Sequence, residues 1–289
     1  MDKVRLNRLK DQGIRFIQSV KKSSKVPLYA GNSGGKDSAV LDFLLRESGT
    51  EYVSQYSNTT IDPPGTIGHI RNHYKHTEII QPELSFVQLL EIHGFPTRLK
   101  RFCCQHLKEI NGAGKTTFLG IRAAESTKRA AYEPTMCDTR SWMQGAQKVY
   151  PLFTWRDSDV WDFIEFHDIP LAPCYLKGSK RLGCVACPLA GPTERAFELS
   201  LYPRFYNIYK KGIQKGMQNN PQWLISILTG GDGDLAMKWW LSGKMLQEYY
   251  RNQYEITGVR KGNRMEWVIK PNRLSFNLLN QIPPTCIMK

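Results

Sequence analysis

The chain has 289 residues, enough for a full hydrophobic core, with 41% hydrophobic and 23% charged residues. No apolar run approaches the roughly 20 residues of a membrane span, and the opening Met1-Asp2-Lys3-Val4-Arg5 lacks the apolar core of a secretory signal, so the expectation is a soluble, cytoplasmic protein with no membrane partner. The net charge of +14 is uneven: Arg195 to Lys289 holds fourteen Lys or Arg against six Asp or Glu, and such a field concentrates polyanions, nucleic acid above all, near the surface.

In chain order, residues 4–22 place Val4, Leu6, Leu9, Ile14, Phe16, Ile17 and Val20 among charges, the pattern of an amphipathic helix. The apolar run Val26 to Ala30 predicts a strand and Ala39 to Leu45 a helix. Between them stands Ser33-Gly34-Gly35-Lys36-Asp37-Ser38. A strand that turns through paired glycines into a helix offers backbone N–H groups and the positive end of a helix dipole to a phosphate. Lys36 would add a point charge, and Ser33 and Ser38 hydroxyl donors. The spacing is not G-x-x-x-x-G-K-[ST], so this is a different phosphate loop.

Tyr52 to Tyr56 predicts a second strand, Asp62 to Gly65 a turn, Ile67 to Lys75 a helix and Thr77 to Ile80 a third strand. Ser85 to His93 predicts a helix closed by Gly94, Lys115 to Gly120 and Lys148 to Phe153 further strands, and Asp157 to His167 another helix. Strands alternating with helices imply a doubly wound parallel sheet covered on both sides, with ligands at the carboxyl ends of its strands. Residues 1–194 are expected to form this α/β domain. Residues 195–289 are expected to add a basic, mainly helical extension, broken by a turn at Gly230 to Asp234. Its rings Trp239, Trp240, Tyr249, Tyr250 and Tyr254 can serve as core or as stacking platforms for bases.

Two cysteine pairs lie about eighty residues apart: adjacent Cys103 and Cys104, and Cys184-Val185-Ala186-Cys187. One tetrahedral zinc ion is one occupant for four such thiolates. Adjacent cysteines diverge, which suits the separate irons of a [4Fe–4S] cluster better, and free or redox-active thiols are the third alternative. Cys137 and Cys174 lie outside this set, as persulfide relays or as small buried hydrophobes, and so does Cys286, as a mobile thiol or an incidental one.

The Ser33–Ser38 run resembles the pyrophosphate loop of the N-type ATP pyrophosphatases, which release pyrophosphate from ATP and transfer AMP. Arg101-Phe102-Cys103-Cys104 with Leu107-Lys108, then Gly120-Ile121-Arg122-Ala123-Ala124-Glu125-Ser126 with Arg129, resemble the phosphoadenosine phosphosulfate reductase superfamily. So do Tyr150-Pro151-Leu152, Trp155, Asp159-Val160-Trp161, Ile169-Pro170 and Gly183 through Cys187. The resemblance covers about residues 28–190. It implies an adenine nucleotide α-hydrolase-like fold, nucleotide contacts from residues 33–38, Gly120, Arg122, Glu125 and Arg129, and a cluster on Cys103, Cys104, Cys184 and Cys187.

Two departures separate the chain from the reductases. They carry a degraded loop, whereas this one is intact, and the tail Pro283 to Lys289 lacks their Glu-Cys-Gly-x-His-type motif. Intact loop, cluster site and basic extension are together similar to the DNA phosphorothioation enzymes of the Dnd and Ssp systems. That implies adenylation of a backbone phosphate followed by sulfur insertion, with a cysteine desulfurase as sulfur donor. Lys36, Asp37 and Arg122 are the expected catalytic residues, Arg122 and Arg129 as phosphate clamps or as ion-pair partners of Glu125, and Asp37 as a Mg²⁺ ligand or a helix-dipole carboxylate. The alternatives are an adenylyl-sulfate or phosphoadenylyl-sulfate reductase and a tRNA thiolase.

Overall fold

The computed structural model describes residues 2–261 and 264–272; Cys286 and the tail motif region lie outside them. The first helix, α1 (Lys3–Ser23), is capped by Asp2, whose carboxylate accepts the Arg5 N–H, and turns Leu6, Leu9 and Ile17 inward. It is followed by β1 (Leu28–Gly31), α2 (Lys36–Glu47), β2 (Val53–Ser57), α3 (Thr66–His73) and β3 (Thr77–Ile80). Then come α4 (Phe86–His93), held by a Ser85/Gln88 capping box, and α5 (Phe102–Leu107). The chain returns to the sheet as β4 (Thr116–Phe118), makes the short α6 (Thr127–Ala130), and adds β5 (Thr135–Cys137) and β6 (Gln147–Val149) before α7 (Asp157–Phe166).

The six strands lie in the order β3-β2-β1-β4-β6-β5; all pairs are parallel except β5 with β6. The winding runs outward from β1 to β3, then resumes at β4 on the other side of β1. This reversal makes the crevice at the carboxyl ends of β1 and β4 the expected ligand position. Leu28, Ala30, Phe118 and Val149 of the sheet pack with Val40, Leu41, Leu44 and Leu45 of α2 and with Val160, Phe163 and Ile164 of α7. Each of the Val, Leu, Ile and Phe side chains contributes roughly 1.5–3 kcal/mol on burial. Cover is unequal: alternate residues Tyr29, Gln55 and Thr117 remain half-buried.

After α7 the chain forms α8 (Pro173–Leu176), α9 (Pro192–Leu201), α10 (Arg204–Asn219), α11 (Leu224–Thr229), α12 (Gly233–Ser242) and α13 (Leu246–Tyr250). Tyr209, Ile213 and Met217 of α10 and Ala236, Met237 and Trp240 of α12 share one core with Phe86, Leu89 and Leu90 of α4 and with Val185 and Ala186. The residues after 195 therefore build directly on the cysteine loop. Trp239, Trp240 and Tyr250 are core, while Tyr249 is exposed and Tyr254 half-buried.

Two elements differ from expectation. The mainly helical segment also contains an antiparallel ladder, β7 (Tyr254–Lys261) with β8 (Arg264–Pro271), where Tyr254, Ile256, Trp267 and Ile269 alternate with exposed residues. The expected strand Lys148–Phe153 ends at Val149, because residues 151–154 turn and carry the chain to Trp155 and Asp157. No described helix is long and apolar enough to cross a membrane.

Candidate functional site

The loop after β1 is built by its own side chains. Gly34 takes φ +72°, a left-handed conformation that suits glycine, and its N–H donates to the buried Asn32 Oδ1 at 3.0 Å. The Gly35 N–H donates to Ser33 Oγ at 3.3 Å, the two hydroxyls of Ser33 and Ser38 are 3.2 Å apart, and Ser38 donates to the Gly35 carbonyl at 2.8 Å. The Lys36 N–H, at the start of α2, donates to the hydroxyl of Tyr175 at 2.9 Å. In this state the serine hydroxyls therefore shape the loop, and a phenol occupies one of its N–H groups.

Lys36 is 5% exposed, and its Nζ lies 3.0 Å from both Asp37 and Asp157. Arg122, also buried, places Nε 2.7 Å from Asp37 Oδ1 and Nη2 2.8 Å from Asp157 Oδ1. Two cations and two carboxylates thus alternate around a square, with the Trp161 ring centroid 5.9 Å from Lys36. Burial works to raise the Asp157 carboxyl, but the hydrogen bonds and charges of Lys36 and Arg122 outweigh it and hold it below the usual carboxylate range. Asp157 is the open corner, its side chain 63% exposed. Gly120 closes the floor: a Cβ there would lie 2.8 Å from the Asp37 carbonyl carbon and oxygen, so only glycine lets the chain after β4 lie against α2.

The four expected cysteines act on one another electrostatically: the neighbouring Cys104 raises the Cys103 thiol, and the charges of Cys184 and Cys187 also reach it. Cys103 in turn pulls the Cys104 thiol down to about 5, helped by Arg101, whose Nη2 lies 3.4 Å from the sulfur, and by Lys108. Burial pushes Cys184 up to about 11, opposed by Lys108. Lys108 in turn has its pKa raised, first by Cys184. Lys108 itself is exposed. The C-x-x-C loop is pinned from three sides: Val185 N–H to the Ile61 carbonyl at 2.9 Å, Tyr209 hydroxyl to the Val185 carbonyl at 2.9 Å, and Ala186 N–H to Glu198 Oε2 at 2.7 Å.

Beside Arg101 opens a cleft of about 390 Å³ lined by Lys100, Arg101, Phe102, Glu109, Arg140 and Trp142. Arg140 stacks on the Trp142 ring at 4.3 Å and pairs with Asp138 and Glu109. The cleft therefore joins cations and an aromatic face next to Cys104.

The sequence profile of the phosphoadenosine phosphosulfate reductase domain matches residues 28–190, more than half of the chain and all of the ground between the Ser33 loop and the C-x-x-C. The chain belongs to the phosphoadenosine phosphosulfate reductase family. An uncharacterized protein of Methanocaldococcus jannaschii is 28% identical over 220 residues, covering 71% of this chain and 53% of that protein. An adenosine 5'-phosphosulfate reductase of Allochromatium vinosum is 33% identical over 79 residues, covering 27% of this chain and 30% of that one. The chain spans about half the length, or less, of the curated relatives it matches. Among solved structures, phosphoadenylyl-sulfate reductase from Candida auris in its phosphate complex is 16% identical with a TM-score of 0.46, covering 64% of this chain and 96% of that one.

Within this reductase-family fold, residues 33–38, Gly120 and Arg122 lie together, and the four cysteines are linked by the effect of their charges on one another. Glu125 adjoins the first group: its carboxylate accepts the Arg122 backbone N–H at 2.8 Å. Arg129 does not join the square; it pairs with Glu125 one helical turn away at the surface. Cys137 is exposed on β5 and Cys174 is buried in α8, its thiol pushed up to about 11 by burial. Among the described residues, no three His, Cys, Asp or Glu side chains stand at the spacing of a single metal ion. Sequence reasoning missed Asp157, Tyr175 and Asn32. An Asp opening a helix reads as a dipole partner, and nothing local connects Tyr175 to a loop 139 residues earlier.

Proposed function

We propose that the chain is an ATP pyrophosphatase that adenylates a nucleic-acid backbone phosphate, DNA being the favoured acceptor, so that sulfur can replace an oxygen. The observation that carries this reading is the buried Lys36, fixed by Asp37 and Asp157 at the mouth of an intact Ser33–Ser38 loop. A substrate that already carries AMP leaves no pyrophosphate for such a loop to hold. Incoming phosphate oxygens would replace carboxylates around Lys36 and Arg122, keeping both cations paired as negative charge develops on the leaving pyrophosphate. The displaced Asp37 and Asp157 carboxylates suit Mg²⁺, which commonly binds one or two carboxylates together with substrate phosphates.

The acceptor oxygen attacks the α-phosphorus and pyrophosphate leaves. The outer sulfur of a persulfide supplied by a cysteine desulfurase then attacks the adenylated phosphorus, AMP leaves, and a further thiol cleaves the remaining S–S bond, leaving a phosphorothioate and a disulfide. The cleft of Lys100, Arg101, Arg140 and Trp142 supports a nucleic-acid acceptor, because it offers charge and a ring beside the thiols. The donor chemistry supports a [4Fe–4S] cluster: four thiols whose charges act on one another, with Arg101 and Lys108 acting on them too, suit an anionic metal–sulfur group. When bound, such a cluster supplies iron able to hold a sulfur ligand.

Anaerobically purified protein is expected to release pyrophosphate from ATP, with more released when DNA is present than with tRNA. DNA binding should weaken as salt rises. The second reading, adenylyl-sulfate reduction, is favoured by the similarity to adenosine 5'-phosphosulfate reductases. Sulfite release from adenylyl sulfate, with no pyrophosphate under any condition, would establish that reading and end the first.

A further inference from the structure

Arg195 is 1% exposed, and its Nε and Nη2 have no hydrogen-bond partner among the described residues. Its Nη1 donates to the Trp240 carbonyl at 2.8 Å, and its guanidinium lies 4.2 Å from the Trp240 ring centroid. An arginine does not shed its proton near neutral pH, so this is a buried charge with two idle donors, one of the costliest arrangements a fold can hold. Something outside the described protein groups must complete it.

The surroundings say where. Arg195 stands on α9, which begins five residues after Cys187, and Glu198 lies one turn further along the same helix. The Glu198 carboxylate is committed to the Ala186 N–H at 2.7 Å, inside the C-x-x-C, where Ala186 takes φ +56°. The Ala190 N–H donates to the Cys187 carbonyl at 2.9 Å, fixing the approach to the helix. Burial depresses the Arg195 pKa, while Cys187 is the largest of the charges that favour its cation, ahead of Glu198; Arg98 opposes it. The Glu198 carboxylate is thus engaged elsewhere, and the loop that leads into α9 is the one that carries Cys184 and Cys187.

We propose that Arg195 is the internal counter-ion of an anionic group held at Cys187 and its three partner cysteines, donating Nε–H and Nη2–H toward that group when it is bound. The inference rests on the reading of this centre as an iron–sulfur site, and it makes Arg195 a positioning residue for that cofactor. The residue comes from the segment beyond the matched reductase domain. The helical extension then has a task besides carrying charge: it delivers the cation that the metal–sulfur group requires.

The test uses the full chain, prepared without metal and after anaerobic loading with iron and sulfide, as wild type, Arg195→Met and Arg195→Lys. Two readouts separate a counter-ion from a strut beneath Trp240: the melting temperature of each form, and the midpoint potential of the loaded protein. Met removes a buried charge with no partner, so the metal-free variant should melt higher than wild type, and the loaded variant should hold its iron less tightly. Loss of a positive charge disfavours the reduced cluster, so the potential should fall by at least about 59 mV, a tenfold change in the one-electron equilibrium. Lys should fall between wild type and Met. Equal destabilisation of both forms by Met with an unchanged potential, a Met variant that does not fold, or a Lys variant whose potential lies below that of Met would overturn the proposal. Failure of the wild type to take up iron and sulfide would instead remove the iron–sulfur reading itself.

Discussion

The Ser33 loop and the cysteine centre lie in the same fold and solve opposite electrostatic problems. At the loop every charge already has a partner: Lys36 and Arg122 each face Asp37 and Asp157, and Tyr175 satisfies the first N–H of α2. At the cysteine centre the groups are mismatched. Thiols press on one another's ionisation, Lys108 is held as a cation first by Cys184, and Arg195, on the helix that follows the C-x-x-C, is buried with two idle donors. The first region is preorganised and can exchange ligands cheaply, since a phosphate displaces a carboxylate of like charge. On the proposed reading the second is completed by what it binds, so the first would turn ligand over and the second would retain it.

The sharpest way to break that contrast is to disable each region separately. Lys36→Ala should lower pyrophosphate release by about 10²–10³-fold, the scale of losing one preorganised charge-stabilising group. Its iron content and visible absorption after loading should match the wild type. Cys184→Ser should do the reverse, abolishing the loaded absorption while ATP still binds. Loss of both properties in either variant would show that the regions fold or act as one unit.

Acid sensitivity offers a second probe, through a side chain that touches the loop. His69 is buried, its Cδ2 lies 3.6 Å from where a Gly34 Cβ would stand, and burial, aided by His73, lowers its pKa to about 4. Against an unfolded value near 6.5, the unfolded chain binds a proton between about pH 6.5 and 4 that the folded chain does not. Stability from this group is complete above about pH 6.5 and is lost as pH falls toward 4, by up to about 3 kcal/mol. His69→Leu should flatten that limb of the urea stability profile. An unchanged slope would mean that His69 finds water or a partner when protonated.

The floor of the nucleotide site gives a smaller effect. Gly120→Ala sets a Cβ against the Asp37 backbone, and overpacking of this kind costs about 1–3 kcal/mol. The expected result is a lower melting temperature together with weaker ATP binding, while iron uptake stays unchanged. A variant that loses stability but binds ATP normally would make Gly120 a packing residue alone.

What could be read without coordinates follows how local each signal is. The Ser33–Ser38 loop is six consecutive residues between a strand and a helix, so its chemistry and its place are both legible. The cysteine pairs are legible as chemistry because thiols are few, although their meeting depends on the fold. Asp157, Tyr175 and Arg195 carry no such mark. Each is an ordinary residue at an ordinary helix position, given meaning by a partner 35 or more residues away. The antiparallel β5 is three residues long, too short for a pattern, and the β7–β8 ladder hides its alternation among the charges of a basic segment. The main parallel strands were clear because their apolar runs are bounded by turns, but their ends shifted by a few residues where turns such as 151–154 took over.

Tyr175 touches the loop and precedes the C-x-x-C in the chain, and it carries the smallest and most discriminating expectation. Its hydroxyl accepts the Lys36 N–H at 2.9 Å, and it stands on α8, nine residues before Cys184. A phosphate oxygen arriving at the loop competes with that phenol. Tyr175→Phe removes the competitor and leaves one N–H open, so pyrophosphate or ATP should bind more tightly by about 0.5–1.5 kcal/mol, the net worth of one hydrogen bond. If the contact only blocks the N–H, isothermal titration will show the gain and the spectrum of the loaded cysteine centre will not move. If ATP binding pulls Tyr175 away and carries the residue 173–187 segment with it, adding ATP should perturb that spectrum in the wild type and not in the Phe variant. An affinity that falls on substitution would show the phenol to be a ligand of the nucleotide rather than its stand-in, and the loop would then be less complete by itself than its ion pairs suggest.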